Sequence, residues 1–143
     1  MSSSVCVDAN LIVRALVPGP SSGKAISLME KWEENQTTLI APTFFAYEVT
    51  STLRRLVHLK EIEPSHGDRA FENFLQFPVQ LFHRPEILLL AWELAKQFDR
   101  SRAYDSAYLA LAQMQDCEFW TADERLYNAV GEELDWVRWL GNY

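Results

Sequence analysis

Residues 5–16 of the chain read VCVDANLIVRAL, a stretch typical of a β-strand that runs into an α-helix. The short apolar run at residues 5–7 ends at Asp8, and apolar residues then recur at helical spacing. Those residues are Leu11, Ile12, Ala15 and Leu16. The stretch therefore predicts one strand–helix unit with an acidic residue at the carboxyl end of its strand.

The same alternation of short apolar runs and helical patterns continues through the rest of the chain. Four further runs predict strands at residues 39–41, 79–82, 118–121 and 136–139. Helical patterns separate them, and Pro42 is expected to open the helix that follows the second strand. Strands that alternate with helices are typical of an α/β domain with a parallel sheet, which we predict for this chain.

Length and composition limit the classes of protein to which the chain can belong. Its 143 residues, 48% hydrophobic and 13% aromatic, predict one domain over residues 1–143 with a sizeable core. Its 13 basic and 20 acidic residues give a net charge of −7, which disfavours nucleic-acid binding by charge alone. A metal-bridged phosphate site remains open, because a bound divalent cation inverts the local field.

The sequence also lacks the marks of secretion, membrane insertion and cysteine-based scaffolds. No apolar run approaches the ~20 residues that cross a bilayer, and the N-terminal residues have no signal-peptide pattern. The two cysteines, Cys6 and Cys117, are too few for a disulfide framework or a four-cysteine zinc site. We therefore expect a cytoplasmic protein that does not enter the membrane.

Four acidic residues stand out because the predicted fold could bring them to the ligand-binding edge of the sheet. Asp8 ends the first strand, and Asp123 lies just beyond the fourth. Glu48 is expected about two turns into the helix after the second strand, and Asp105 starts a later helix. Converging carboxylates repel one another, which proteins tolerate when a hard divalent cation lies between them. Such a cation can activate water for phosphodiester hydrolysis.

Each of these acids also has a purely structural interpretation. Asp8 and Asp123 could cap the helices that follow them, and Asp105 could interact with a helix dipole. Glu48 lies among apolar residues of its helix, so an ionised carboxylate there needs a partner. The sequence leaves both interpretations open.

Four stretches of the chain together resemble the PIN-domain family, specifically its VapC-like ribonuclease toxins. They are VCVDAN at residues 5–10, PTFFAYEV at 42–49, YDSAYLALA at 104–112 and WTADERL at 120–126. The resemblance implies a three-layer α/β/α sandwich with a five-stranded parallel sheet. It also implies an endoribonuclease that depends on Mg²⁺ or Mn²⁺, forms a homodimer and is neutralised by an antitoxin protein.

The resemblance further implies roles for individual residues. The positions that match the acidic catalytic and metal-binding residues of the family are Asp8, Glu48, Asp105 and Asp123. Asp8 and Asp105 would contact the metal ion directly, and the other two would do so directly or through water. Asn10 and Thr121 match positions that support such a site through hydrogen bonds.

RNA cleavage also needs cationic surface, which an acidic chain must concentrate in a few places. The basic residues that we expect to contact RNA are Arg54, Arg55, Arg100 and Arg102. Arg102 lies three residues before Asp105, so it could face a phosphate near the metal. A homodimer could combine the two patches along one groove.

Three other functions compete with the nuclease. A haloacid-dehalogenase-like phosphatase needs a second Asp two residues after its nucleophile, where this chain has Asn10. A receiver-type phosphoacceptor domain needs a late strand-end Lys, and no Lys lies beyond Lys96. A catalytically weak module with the PIN fold, which binds metal or a partner protein without RNA turnover, stays open because the basic content is low.

Overall fold

The computed structural model describes residues 3–143, within which five strands form one parallel sheet. The strands are β1 (Ser4–Val7), β2 (Thr38–Pro42), β3 (Val79–Phe82), β4 (Glu118–Thr121) and β5 (Val137–Trp139). Their order across the sheet is β3-β2-β1-β4-β5, and every neighbouring pair is parallel. The predicted five-stranded parallel sheet is confirmed.

Seven α-helices of residues 3–143 connect the strands and cover the sheet. They are α1 (Ala9–Leu16), α2 (Ser22–Glu34), α3 (Phe45–His58), α4 (Pro64–Leu75), α5 (Pro85–Gln97), α6 (Tyr104–Met114) and α7 (Glu124–Val130), and a short 3₁₀ helix (Leu140–Asn142) follows β5. None of these described helices is both long and apolar enough to cross a membrane.

The helices lie in two layers because the connections between strands run in opposite directions across the sheet. The chain runs from β1 through β2 to β3, which forms one edge of the sheet. It then crosses back to β4, on the other side of β1, and ends at β5, which forms the opposite edge. Right-handed connections therefore place α1–α4 on one face and α5–α7 on the opposite face. In agreement, α1 contacts α2, α3 and α4, whereas α5 packs against α6. The predicted three-layer α/β/α sandwich is confirmed.

The core lies along the central strands and α6. Residues 5–7 of β1 and 39–41 of β2 are all buried, as expected for parallel strands covered on both faces. Helix α6 is buried along residues 106–112 because it packs across β1, β2 and β4. This packing fixes α6 on the sheet and gives the residues of its first turn a defined position.

The start of α3 differs from the prediction. Pro42 does not open the helix but closes β2, where it pairs with Phe82 of β3, and α3 begins at Phe45. Proline suits either position, because at residue 42 β2 is paired with β3 alone, as an edge strand is, and a missing N–H is also tolerated in the first turn of a helix. Glu48 consequently lies in the first turn of α3, not about two turns into the helix.

The direction of the connections reverses between β1 and β4, which are neighbours in the sheet. In open α/β sheets, the crevice outside the carboxyl ends of the strands at such a switch point is where ligands bind. Asp8 directly follows β1, and Thr121 is the last residue of β4. The fold therefore places both residues at the expected ligand-binding position.

Candidate active site

Asp8 lies at the carboxyl end of β1 and is only 4% exposed. Its N–H donates to the carbonyl oxygen of Trp120 at 3.0 Å, which continues the pairing of β1 with β4. Its carboxylate Oδ2 accepts a hydrogen bond of 2.9 Å from Thr121 Oγ1. Although Asp8 precedes α1, its side chain makes no capping hydrogen bond to that helix. The interpretation of the Asp8 carboxylate as a helix cap is therefore wrong.

The hydroxyl of Thr121 organises the loop that follows β4. While it donates to Asp8, it accepts hydrogen bonds from the Asp123 N–H at 3.0 Å and from Asn10 Nδ2 at 3.4 Å. The side-chain oxygen of Asn10 accepts from the Ala122 N–H at 2.9 Å. Asn10 and Thr121 thus tie the start of α1 to the loop after β4, which fixes the position of Asp123 relative to Asp8.

Asp123 has a structural role in addition to its place in this loop. Its Oδ1 accepts hydrogen bonds from the Arg125 N–H at 2.9 Å and from the Leu126 N–H at 3.3 Å. Asp123 therefore caps α7, and the structural interpretation of this residue is confirmed. Both hydrogen bonds use the same carboxylate oxygen, so the cap does not occupy Oδ2.

Glu48 has its partner on α6. The Tyr108 hydroxyl donates a hydrogen bond of 3.0 Å to Glu48 Oε1. Tyr108 is fully buried, and its ring stacks on Phe119 with centroids 5.5 Å apart. The apolar pattern of α6 predicts only the buried ring, so sequence reasoning misses the hydroxyl. The one available signal is that Tyr108 lies three residues after Asp105, on the same side of the helix.

Asp105 lies in the first turn of α6 and is paired with Arg100, whose Nη2 is 3.5 Å from Asp105 Oδ2. Among the arginines predicted to contact RNA, the structure thus brings Arg100 to the acidic site. Arg102 is exposed in the segment before α6. Arg54 and Arg55 are exposed on α3, about 10 Å along the helix axis from Glu48 in its first turn. The structure therefore separates the two α3 arginines from the site.

Asp8, Glu48, Asp105 and Asp123 (the four acids) form one electrostatic group. Burial is the main cause that raises the pKa of Asp8 to about 7, and the charges of Asp105 and Glu48 contribute. Burial also raises the pKa of Glu48, and the charge of Asp105 adds to the rise. Burial raises the pKa of Asp105, where the charge of Arg100 opposes the rise and that of Asp123 adds to it. Carboxylates that resist ionisation in this way destabilise their site when no positive charge is added.

The donor chemistry of the four acids fits a hard divalent cation. Carboxylate oxygens are the ligands that Mg²⁺ and Mn²⁺ prefer, and a cation among them removes their repulsion. Each carboxylate is nevertheless directed to a protein partner of its own. Within residues 3–143, no group of three or more His, Cys, Asp and Glu side chains is gathered closely enough to hold a metal ion. Metal binding would therefore require these carboxylates to turn toward a common point.

The chain is similar in sequence to known proteins over most of its length. A model of the PIN domain matches residues 6–134. Ribonuclease VapC9 of Mycobacterium tuberculosis is 29% identical over 122 residues, which are 85% of this chain and 87% of that protein.

Solved structures share the fold at lower sequence identity. A toxin–antitoxin complex from Klebsiella pneumoniae contains a chain with a TM-score of 0.64 and 16% identity, covering 93% of this chain and 94% of that one. VapC20 of Mycobacterium tuberculosis, a toxin that cleaves the sarcin–ricin loop, has a TM-score of 0.64 and 17% identity, covering 87% and 94%. At these identities the two structures show that the fold is the same.

Proposed function

This chain belongs to the PIN-domain family, and we propose that it is a metal-dependent endoribonuclease whose active site is formed by the four acids. The observation that carries the proposal is that three of these carboxylates are buried close to other acidic groups at the switch point of the sheet. Burial, with a smaller contribution from the neighbouring charges, raises the pKa of Asp8, Glu48 and Asp105. Carboxylates with strongly raised pKa values are typical of functional sites, and a bound cation explains why several occur together. The similarity to VapC9, a ribonuclease, supports RNA as the substrate.

Mg²⁺ or Mn²⁺ is the cofactor that these donors fit. Asp8 and Asp105 would hold the ion directly, and Glu48 and Asp123 would hold it directly or through water. When bound, the ion supplies Lewis-acid activation of water and neutralises charge at the scissile phosphate. Hydrolysis adds one water across a P–O bond, which leaves a phosphomonoester on one product and a hydroxyl on the other.

Neighbouring side chains donate hydrogen bonds to two of the acids and favour their charged form. The Thr121 hydroxyl donates to Asp8 and so favours its ionised form. The Tyr108 hydroxyl does the same for Glu48. Both are positioning residues, because they act on the substrate only through the acids. Arg100, at the edge of the group, offers a cation to the phosphate.

We further propose that the chain is the toxin of a toxin–antitoxin pair and acts in the cytoplasm as a homodimer. The shared fold with a chain of a toxin–antitoxin complex supports an antitoxin partner. On α5, the side chains Leu88, Leu89 and Trp92 are 66%, 68% and 63% exposed. Neighbouring large apolar side chains at the surface are typical of protein interfaces, which supports a second copy of the chain as their partner.

Cleavage of a panel of labelled RNAs by the purified protein tests the enzymatic proposal. We expect cleavage with Mg²⁺ or Mn²⁺, and loss of cleavage with a chelator or in Asp8→Asn and Asp105→Asn. Asp116→Asn is the matched control, because Asp116 is exposed and Asn suits its left-handed backbone at φ 50°. Cleavage that persists in both acid variants would refute the proposal that the four acids form the active site.

The alternative is a catalytically weak PIN-fold module that binds metal or a partner protein. The observation that favours it is that each carboxylate already has a protein partner. Among residues 3–143, no three His, Cys, Asp or Glu side chains are close enough together to hold a metal ion. A Mn²⁺-dependent rise in thermal stability without cleavage of any RNA in the panel would support this alternative over the nuclease.

A further inference from the structure

We propose that the RNA strand runs from the four acids into a cleft lined by Arg14, Lys24 and Arg125, which bind its backbone phosphates. The inference rests on the proposed nuclease function and extends it by naming the path of the substrate. The cleft has a volume of about 800 Å³ and is lined by residues of α1, α2, α7 and the 3₁₀ helix. Its basic residues were not among those that the sequence indicated.

The cleft is continuous with the active site. Asn10 and Asp123 both line it. The same two residues donate hydrogen bonds to the Thr121 hydroxyl, which in turn contacts Asp8. A strand whose scissile phosphate lies at the four acids would therefore have its neighbouring phosphates in this cleft.

Two of the three cations of the cleft are oriented by neutral partners. Arg14 Nη1 donates to Ser21 Oγ at 3.0 Å, and Lys24 Nζ donates to the Gly141 carbonyl oxygen at 2.9 Å. Neither of them, nor Arg125, forms an ion pair with an acidic side chain of residues 3–143. Their charge is thus available to an anion, although the chain as a whole carries −7.

The charge balance of the lining also favours a polyanion. Apart from Asp123, which belongs to the active site, the lining holds three cations and one acid, Glu124. The other predicted arginines are less suited to guide a strand. Arg100 is already paired with Asp105, and Arg54 lines a separate, smaller cavity together with Asp68.

Fluorescence anisotropy with a labelled single-stranded RNA tests the path, in an Asp105→Asn background that prevents cleavage. The logarithm of the association constant for a single strand decreases linearly with the logarithm of the salt concentration. The steepness of this line decreases by about 0.7 for each phosphate contact removed. We expect that fall in each of Arg14→Gln, Lys24→Gln and Arg125→Gln, and a fall of about 2 in the triple variant. In the cleavage-competent chain, the triple variant should raise KM and leave kcat nearly unchanged.

Matched controls separate the cleft from general charge effects. Arg69→Gln and Lys96→Gln remove exposed charges from α4 and α5 and should leave the slope unchanged. Arg54→Gln combined with Arg55→Gln tests the path predicted from the sequence. Thermal unfolding of every variant tests whether it is folded. We expect all of the cleft variants to fold, because Arg14, Lys24 and Arg125 are exposed.

Three results would overturn the inference. An unchanged slope and KM in the folded triple variant would exclude the cleft as the path of the RNA. Cleavage by the wild-type protein would in that case still support the proposed nuclease function. Tighter binding of oligo-glutamate than of RNA of equal length would assign the cleft to an acidic protein segment. A wild-type chain that neither binds nor cleaves RNA would end both the inference and the proposed function.

Discussion

The hydroxyl of Thr121 donates a hydrogen bond of 2.9 Å to Asp8 Oδ2, although the two residues lie 113 positions apart. This bond joins the carboxyl ends of β1 and β4, where the direction of the sheet connections reverses. It also gives a buried carboxylate a partner on the sheet, whereas that side chain makes no capping hydrogen bond to α1. The bond therefore places the Asp8 carboxylate at the switch point of the sheet.

Thr121→Val should destabilise the protein. The substitution keeps the shape of the side chain but removes the hydroxyl. The buried Asp8 carboxylate then loses its donor, and the part-buried Asp123 N–H and Asn10 Nδ2 lose their acceptor. Buried polar groups that lose a partner cost about 1–3 kcal/mol, which urea denaturation measures. Thr52→Val, at an exposed position of α3, is the control and should change stability little. Equal stability of the two variants would contradict the role of the hydroxyl.

Tyr108→Phe should weaken the site while keeping the core packed. The ring still stacks on Phe119, but Glu48 loses the donor that favours its charged form. We expect a loss of about 1 kcal/mol in stability and a shift of the acidic limb of the cleavage–pH profile to higher pH. The control Tyr104→Phe changes an exposed tyrosine of the same helix. A pH profile that moved equally in both variants, or in neither, would refute the positioning role of Tyr108.

The part of the fold that the sequence predicts is the part set by local pattern. Short apolar runs between helical patterns locate all five strands. The pattern is clearest in the central strands β1 and β2, whose apolar residues are buried between the two helix layers. The PIN-domain resemblance is confirmed by the match over residues 6–134. The prediction that Pro42 opens a helix is wrong, because proline is tolerated both where a strand is paired on one side only and at the start of a helix. Only its pairing with Phe82 decides between the two.

The candidate site is less predictable, because it depends on contacts between distant segments. Whether Asp8 caps a helix or faces β4 follows from Thr121, which the local sequence around Asp8 does not contain. The hydroxyl of Tyr108 is hidden by a pattern that correctly assigns its ring to the core. The cleft cations Arg14 and Lys24 lie on two helices, and neither stands near another basic residue in sequence. Charge clusters in sequence therefore could not indicate them.

The raised pKa of Asp8 predicts an unusual pH dependence for the metal-free protein. Its folded pKa of about 7 lies above the ordinary value of 3.8, so between these values the folded state binds more protons than the unfolded state. The free energy of unfolding should therefore fall as pH rises from about 4 to about 7, by at most about 4 kcal/mol from this group. Urea denaturation with a chelator across this range measures the slope.

Asp8→Asn should flatten that pH dependence, because the substituted residue no longer titrates. Asp116→Asn serves as the control and should keep the wild-type slope, since its carboxyl is exposed. Added Mn²⁺ should change the behaviour of the wild type, because the ion binds the ionised carboxylates and stabilises the folded state more as pH rises. The same slope in wild type and Asp8→Asn would show that Asp8 does not cause it.

Trp92→Ser should shift a dimer toward the monomer. The tryptophan is 63% exposed beside Leu88 and Leu89, so its replacement removes apolar area from the surface proposed to bind a second copy. Light scattering should report a lower mass, approaching the 16.5 kDa of one chain. Leu75→Ser, at an equally exposed position of α4, is the control and should leave the mass unchanged. A monomeric wild-type protein would contradict the homodimer.

Thermal unfolding with and without Mn²⁺, on wild type and Asp8→Asn, tests most directly whether the four acids form a metal site. A ligand at a hundredfold excess over its dissociation constant stabilises the folded state by about 2.7 kcal/mol. We predict that Mn²⁺ raises the Tm of the wild type. Without metal, Asp8→Asn should be at least as stable as wild type near neutral pH, because a buried repelling charge is gone, and its response to Mn²⁺ should shrink. No response in the wild type, together with a less stable Asp8→Asn, would contradict the metal site and leave Asp8 with a structural role only.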